Sequence, residues 1–204
     1  MKQHEISFSF NDKEKIIISL QEPLEYITPY YEEYIFLFYN ETKSLLAEGP
    51  IYYNIHQLMM FLKKSLNNEL LIDKSITADI GYLLNEYHIN EKGFVTYDFP
   101  SGVSSWIGYK YHVWEATSDK RLVTWIYNDS DEFIIFEVTP FYPYMYCDPQ
   151  EEPNYIPYEE WIKTYKPYFK TKISAIVAQQ WLKQTEFILK EIESINKINP
   201  VNQN

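Results

Sequence analysis

The sequence predicts an α+β fold in which an antiparallel sheet, made of N-terminal hairpins and a C-terminal three-strand meander, packs against helices. Three observations lead to this prediction. Apolar and polar residues alternate at strand period near the N-terminus and again over residues 105–114. Short polar turns separate these segments. Apolar stripes at helical spacing predict a helix in the N-terminal half and a long C-terminal helix.

The first quarter of the chain predicts four strands. They fall over residues 5–10, 14–20, 33–39 and 44–53. Asn11 and Asp12 are turn residues, so the first two strands should form a hairpin. The fourth strand should bend at Gly49 and Pro50.

A helix is predicted to begin at Asn54 and to end near Asn67. The Asn54 side chain can accept hydrogen bonds from the free amides of the first turn, and Gln57 occupies the capping-box position. The apolar stripe of this helix consists of Ile55, Leu58, Met59, Leu62 and Leu66. Residues 69–93 fit either a helix or, over 81–89 (GYLLNEYHI), a strand.

The next segments predict a further strand and then the meander. Residues 94–99 (FVTYDF) read as a strand that precedes a loop. The three meander strands are predicted over residues 105–114, 121–127 and 133–139. The last of them (FIIFEVT) is apolar at nearly every position, which is typical of a central strand.

Two helices complete the predicted fold. A short one covers residues 158–165 and ends before Pro167, and a long one covers 171–197. We therefore expect a single domain over residues 1–197 and a frayed tail over 198–204.

The composition predicts a soluble cytoplasmic protein with a basic partner. The net charge is -11, from 18 basic and 29 acidic residues, which repels nucleic acid and favours encounter with a cationic protein. The single cysteine allows no intrachain disulfide and no multi-cysteine zinc site. The sequence has neither a signal-peptide pattern nor an apolar run of membrane-spanning length. We expect a monomer or a weak dimer.

The motifs give no indication of catalysis. The four histidines are scattered, and no zinc-protease, phosphate-loop or nucleophile-elbow pattern is present. Cys147 lies in an acidic segment, which would raise the pKa of its thiol, and we expect it to be buried or half-buried. We therefore predict no enzyme activity, no catalytic residue, no cofactor and no metal.

One aromatic strand face offers an alternative function. On a strand over 105–114, the side chains of Trp106, His112 and Trp114 would share a face. Such a cleft suits a small-molecule-binding or enzymatic domain, in which aromatic walls shift the pKa of the imidazole. Asp98 fits either a carboxylate at a strand end or a cap of the following loop.

The segment 140–161 (PFYPYMYCDPQEEPNYIPYEEW) predicts a protein-binding surface. It has five prolines, five tyrosines and five carboxylates, with no Lys or Arg. Prolines restrict the loop before binding, and tyrosines are common interface anchors. The predicted partner-binding residues are Tyr144, Tyr146, Asp148, Glu151, Glu152, Tyr155, Tyr158, Glu159 and Glu160.

Two short motifs carry a family resemblance. They are WIKTYKP at 161–167 and WLKQ at 181–184, and through them residues 121–193 resemble the C-terminal half of small bacterial immunity proteins. Those proteins accompany polymorphic or contact-dependent toxins. The resemblance implies binding and blocking of a toxin, often a basic nuclease, with acidic side chains in place of phosphate. Toxin-contacting surfaces diverge with the partner, so the residues predicted above rest on charge alone.

Overall fold

Two four-stranded antiparallel sheets form the framework of the fold. The structure is a computed structural model that describes residues 4–20, 22–90, 96–98, 104–117, 120–130, 133–145 and 147–198. Side chains are described throughout these ranges except at Tyr97, Asp98 and residues 195–198. The α+β class, the antiparallel strands and the long C-terminal helix are confirmed.

The N-terminal sheet is a meander. Its strands are β1 (His4–Ser9), β2 (Lys15–Leu20), β3 (Glu32–Tyr39) and β4 (Thr42–Pro50), in that order. The predicted first hairpin is confirmed, and Asn11 Oδ1 accepts the amide of Lys13 at 2.9 Å in its turn. The β3–β4 turn has positive φ at both Asn40 and Glu41, the backbone of a two-residue hairpin.

Helix α1 (Ile51–Leu66) begins earlier than predicted. The prediction of a strand through residue 53 and of a cap at Asn54 is wrong. The physical reason lies at Pro50. This residue has no N–H group that could donate a hydrogen bond within the sheet, and its fixed φ is compatible with the start of a helix. The first helical amide, that of Ile51, instead donates to the carbonyl of Tyr31 at 2.9 Å. Asn54 is buried within the helix.

Helix α2 (Ile80–Asn90) resolves the alternatives for the middle of the chain. The strand over 81–89 is wrong, and Ile72 and Ile76 precede the helix. Asp79 caps it, because its Oδ1 accepts the amide of Tyr82 at 2.9 Å. Within the predicted strand over 94–99 the structure describes β5 (Thr96–Asp98), which pairs with β6 (Ser104–Trp106). The side chain of Asp98, and residues 94, 95 and 99, lie outside the described residues.

The C-terminal sheet contains the predicted meander and one further strand. Its order is β10 (Phe169–Ile173), β9 (Ile134–Pro140), β8 (Leu122–Asn128) and β7 (His112–Glu115). The central position of β9 is confirmed. A single strand over 105–114 is wrong, because a 3-10 helix (Ile107–Tyr111) interrupts it. Gly108 permits this turn, since a side chain there would overlap the indole of Trp106.

The C-terminal helices follow the prediction with one correction. The predicted short helix is α3 (Tyr158–Trp161) and a continuing 3-10 turn (Ile162–Thr164). The long helix α4 (Ala175–Ile198) begins four residues later than predicted. Residues 171–173 belong to β10 instead, whose alternating FKTKI sequence pairs with β9.

The core lies on both faces of the C-terminal sheet. On one face, Phe136 contacts Phe10 of the N-terminal hairpin at 5.0 Å and Trp181 of α4 at 6.4 Å between ring centroids. Helix α1 packs along α4 and against strands of both sheets. On the other face, helix α2 packs against β9. All residues of β8 are buried, as expected for a strand covered on both sides.

Candidate functional site

The proline-rich segment between β9 and α3 is held in shape by the hydroxyls of its own tyrosines. We refer to residues 141–160 as the acidic loop; Tyr146 within it lies outside the described residues. Tyr142 Oη donates to the carbonyl of Ile156 at 2.6 Å, and Tyr144 Oη donates to the carbonyl of Asn154 at 2.6 Å. These bonds join the outgoing half of the loop to the returning half.

Tyr158 anchors the acidic loop to helix α2. Its side chain is buried, and its Oη donates to Glu86 Oε1 at 2.7 Å. Burial, and then the neighbouring Glu86 carboxylate, raise the pKa of the Tyr158 hydroxyl, so it stays protonated as the donor. Its ring lies 5.5 Å from that of Tyr142. Tyr158 was predicted as a surface anchor for a partner, and the structure instead uses it internally.

The carboxylates of the acidic loop face solvent. Asp148, Glu151, Glu159 and Glu160 are exposed, and Glu152 is half-buried. In the part of the chain that the structure describes, none of them forms an ion pair. Among the described residues, no salt bridge neutralises their negative charge, although Arg121 donates to the carbonyl of Pro143 at 3.2 Å in the same loop.

Two further tyrosines and the cysteine of the acidic loop differ in their exposure. Tyr144 and Tyr155 are half-buried against each other, with ring centroids 5.4 Å apart. Cys147 is exposed, contrary to the expectation of a buried or half-buried thiol. The rings of Tyr144 and Tyr155 therefore leave only part of their surfaces for a partner.

The alternative aromatic cleft is not formed as predicted. His112 pairs with Trp125, but a register shift in β7 then places Trp114 opposite Thr124, on the other face of the sheet. Trp114 is buried there, and its indole N–H donates to the carbonyl of Asn54 at 3.2 Å.

The other two members of that cleft also belong to the interior. Trp106 is buried and stacks on Tyr87 at 5.8 Å. Burial lowers the pKa of His112, which favours a neutral imidazole. Trp106 and His112 both contact Trp125 rather than a shared opening.

An aromatic groove that the sequence did not reveal lies beside the acidic loop. Its volume is about 510 Å³, and it runs between the β3–β4 turn and the segment that follows α3. Its walls include Tyr39, Thr42, Trp161, Tyr165, Lys166 and Tyr168. Tyr168 Oη is within 2.7 Å of Ser44 Oγ and 3.3 Å of Lys120 Nζ. Burial raises the pKa of this hydroxyl, but hydrogen bonds from Ser44, Thr42 and Lys120 outweigh it and leave the pKa lowered.

Behind the groove lies a pair of carboxyl groups, of which Glu137 is buried and Asp79 is half-buried. Glu137 is fully buried, and its Oε2 accepts hydrogen bonds from Tyr127 Oη at 2.6 Å and Lys170 Nζ at 2.9 Å. Burial, and then the nearby Asp79, raise the pKa of Glu137 to about 7 despite the lysine. Tyr165 connects the pair to the groove, because its hydroxyl donates to Asp79.

The only sequence signal for this pair is a glutamate within an apolar strand (FIIFEVT). Its partner, Asp79, is distant in sequence. The groove has no local signal, because its walls come from three separate segments of the chain.

Among the described residues, no group of three or more His, Cys, Asp or Glu side chains could hold a metal ion. No helix within the described ranges has the length and apolar character required to cross a bilayer. Comparison of the chain with protein-family models, curated proteins and solved structures finds no match.

Proposed function

We propose that this protein is a protein-binding inhibitor whose acidic loop binds a cationic surface of its partner. The observation that carries the proposal is a set of exposed carboxylates without ion pairs, on a loop that tyrosine hydroxyls hold together. The mechanism is steric and electrostatic occlusion of the partner's functional surface. The net charge of -11 adds a long-range attraction that speeds encounter.

Pre-organisation explains why the tyrosines matter although they are largely internal. A loop that is ordered before binding loses less conformational entropy when it binds. Prolines and tyrosine hydroxyls provide that order here, and the carboxylates provide the charge that a cationic partner recognises.

The favoured partner is a basic bacterial toxin, with this protein as its immunity protein. The resemblance of residues 121–193 to immunity proteins supports this choice. The residues that carry it have structural positions: Trp161 contacts Tyr142 at 5.4 Å, and Trp181 contacts Phe10 at 4.9 Å. They would support the acidic loop and the core while other residues contact the toxin.

A charge-reversal triple variant tests the acidic loop directly. In Asp148→Lys, Glu151→Lys and Glu152→Lys combined, we expect the association rate with the partner to fall about tenfold or more at low salt. The salt dependence of that rate should also flatten. The partner is first captured from a lysate of the source cells with the natural protein, and stopped-flow kinetics are then measured with the purified pair.

A matched control separates local from overall charge. The triple Glu5→Lys, Asp12→Lys and Glu41→Lys changes the net charge equally at exposed positions of the N-terminal sheet and its turns. We expect a much smaller change in its association rate. Equal effects of the two triples, or no effect of the first, would contradict the assignment of the acidic loop. The toxin proposal also requires that the partner arrest growth on expression and that coexpression of this protein relieve the arrest.

Small-molecule binding in the aromatic groove is the second candidate function. A volume of about 510 Å³ is in the range of known ligand sites, and the aromatic walls suit a planar or sugar-like molecule. A thermal-shift screen against a metabolite panel tests it. A compound that raises the melting temperature of the natural protein, but not of Trp161→Ala, would favour this function over protein binding.

A further inference from the structure

The most exposed tyrosines of the described chain lie far from the acidic loop. Tyr30 is 84% exposed, Tyr26 67%, Tyr53 62% and Tyr34 47%. They belong to the β2–β3 connection, to β3 and to the first turn of α1. We refer to these four residues as the tyrosine surface. Exposed aromatic groups that cluster in this way are typical of protein-docking sites.

The tyrosine surface has no evident structural role. Within the described residues, the hydroxyls of Tyr26, Tyr30 and Tyr53 have no hydrogen-bond partner, and their rings contact no other aromatic ring. Tyr142 and Tyr158 differ, because both are buried and hydrogen-bonded. The folded state gains little from the exposed tyrosines, so their presentation to solvent requires another explanation.

The fold holds these side chains outward on a fixed backbone. Ile27 is fully buried and anchors the β2–β3 connection, which leaves the neighbouring Tyr26 on the outside of its 3-10 turn. The Tyr31 carbonyl accepts the amide of Ile51, which ties this connection to the start of α1. Tyr30 is one residue, and Tyr53 two residues, from this hydrogen bond. Such rigid tyrosines bind at low entropic cost.

The charge around the tyrosine surface is mainly negative, with one lysine at its edge. Lys43 Nζ donates to Ser19 Oγ at 2.7 Å, and Ser19 pairs with Tyr34. Residues 22–34 and 48–53 contain no Lys or Arg. The exposed acids among them are Glu22, Glu25, Glu32 and Glu48. Tyr34 pairs directly with Glu48 across the strands, so ring and carboxylate are neighbours. Aromatic rings beside carboxylates complement a partner that presents lysine or arginine, through charge and cation–π contacts.

The tyrosine surface and the acidic loop lie at opposite ends of β3. Tyr34 is near one end of the strand, and Tyr39 at the other end lines the groove beside Trp161. Five strand residues separate the two tyrosines by about 17 Å. A single partner bound flat over the centre of either surface would therefore not fully cover the other surface.

We propose that the tyrosine surface is a second docking site, which takes a lysine- or arginine-rich protein segment. This second site goes beyond the function proposed above, because its partner can bind without any contact to the acidic loop. Tyr30 and Tyr53 provide the aromatic anchors, and Glu32 and Glu48 provide the charge.

Site-specific photo-crosslinking tests this proposal in the full-length protein. The photo-crosslinker p-benzoylphenylalanine replaces Tyr30 or Tyr53 in one set of variants and Tyr144 or Tyr155 in another. Each purified variant is irradiated in a lysate of the source cells at low and at high salt, and crosslinked proteins are identified by mass spectrometry. Circular dichroism confirms that each variant is folded.

The expected result is a basic protein crosslinked through position 30 or 53. The yield of this crosslink should fall at high salt, and it should also fall when Glu32→Lys and Glu48→Lys are introduced into the same variant. Crosslinks from positions 144 or 155 alone would overturn this inference and leave the proposed function standing. If neither set of variants gives a crosslink, both this inference and the proposed function are overturned. A second copy of this chain, or a non-basic protein with a salt-independent yield, would overturn the docking of a cationic segment.

Measuring the Kd of the crosslinked partner makes the test quantitative. For a partner crosslinked through the tyrosine surface, Tyr30→Ser with Tyr53→Ser should weaken the Kd about 30-fold, the effect of losing a binding hot spot. The control Ile176→Ser with Phe187→Ser removes side chains that are 70% and 58% exposed on α4, and it should leave the Kd unchanged. Equal losses for both pairs would contradict a specific role for the tyrosines.

Discussion

Glu137 is the residue whose environment differs most from water. Its carboxyl group is fully buried beside Asp79, and burial and that neighbour raise its pKa from 4.5 to about 7. Lys170 contacts Glu137 but is itself half-exposed, so its positive charge is partly screened by solvent. Below about pH 7, Glu137 therefore holds a proton that an exposed glutamate would have released. In its protonated form the carboxyl group donates a hydrogen bond to Asp79, which is a further cause of the raised pKa.

Replacing this residue should change the pH dependence of stability. Because the folded state binds the proton more tightly than the unfolded chain, the stabilising contribution is complete below about pH 4.5 and is lost as pH rises through about 7. Between pH 5 and 8 this group should lower the free energy of unfolding of the natural protein by about 2 kcal/mol. Urea unfolding of Glu137→Gln should lack that fall. The exposed control Glu5→Gln should retain it, and an identical pH profile for both variants would contradict the buried proton.

The β3–β4 turn offers a position at which a substitution should increase the stability of the fold. Asn40 and Glu41 have φ values of 48° and 60°, which glycine adopts more readily than glutamate. Glu41→Gly should therefore raise the free energy of unfolding by about 0.5–1 kcal/mol, although glycine usually destabilises. Denaturant unfolding measures the change. Glu41→Val should lower stability, and a stabilising effect of valine would contradict the left-handed conformation of this turn.

The elements that the sequence predicted well are those whose pattern is local. Strands β8 and β9 were predicted within one residue, because apolar runs and polar turns bound them. The interruption at Ile107–Tyr111 was missed, since WIGYKYHVW alternates like a strand while Gly108 lets the chain turn onto Trp106. The start of α1 was also missed, because Tyr31 rather than Asn54 satisfies its first amide.

At the scale of the whole molecule, composition predicted the acidic loop but not the exposure of individual tyrosines. Tyr158 is withdrawn from the surface by Glu86, 72 positions away in the sequence. Tyr30 and Tyr53 lie in two segments that come together only through the pairing of β3 with β4. Net charge is a sum over residues and can be read from the sequence, whereas burial depends on distant contacts.

The central claim is that this acidic protein binds a cationic protein through electrostatic attraction. The most direct measurement is a pull-down with the purified protein from a lysate of its source cells, first at low and then at high salt. The account predicts a single basic partner that is retained at low salt and released at high salt. No protein partner at either salt concentration would contradict it and would favour the binding of a small ligand in the aromatic groove.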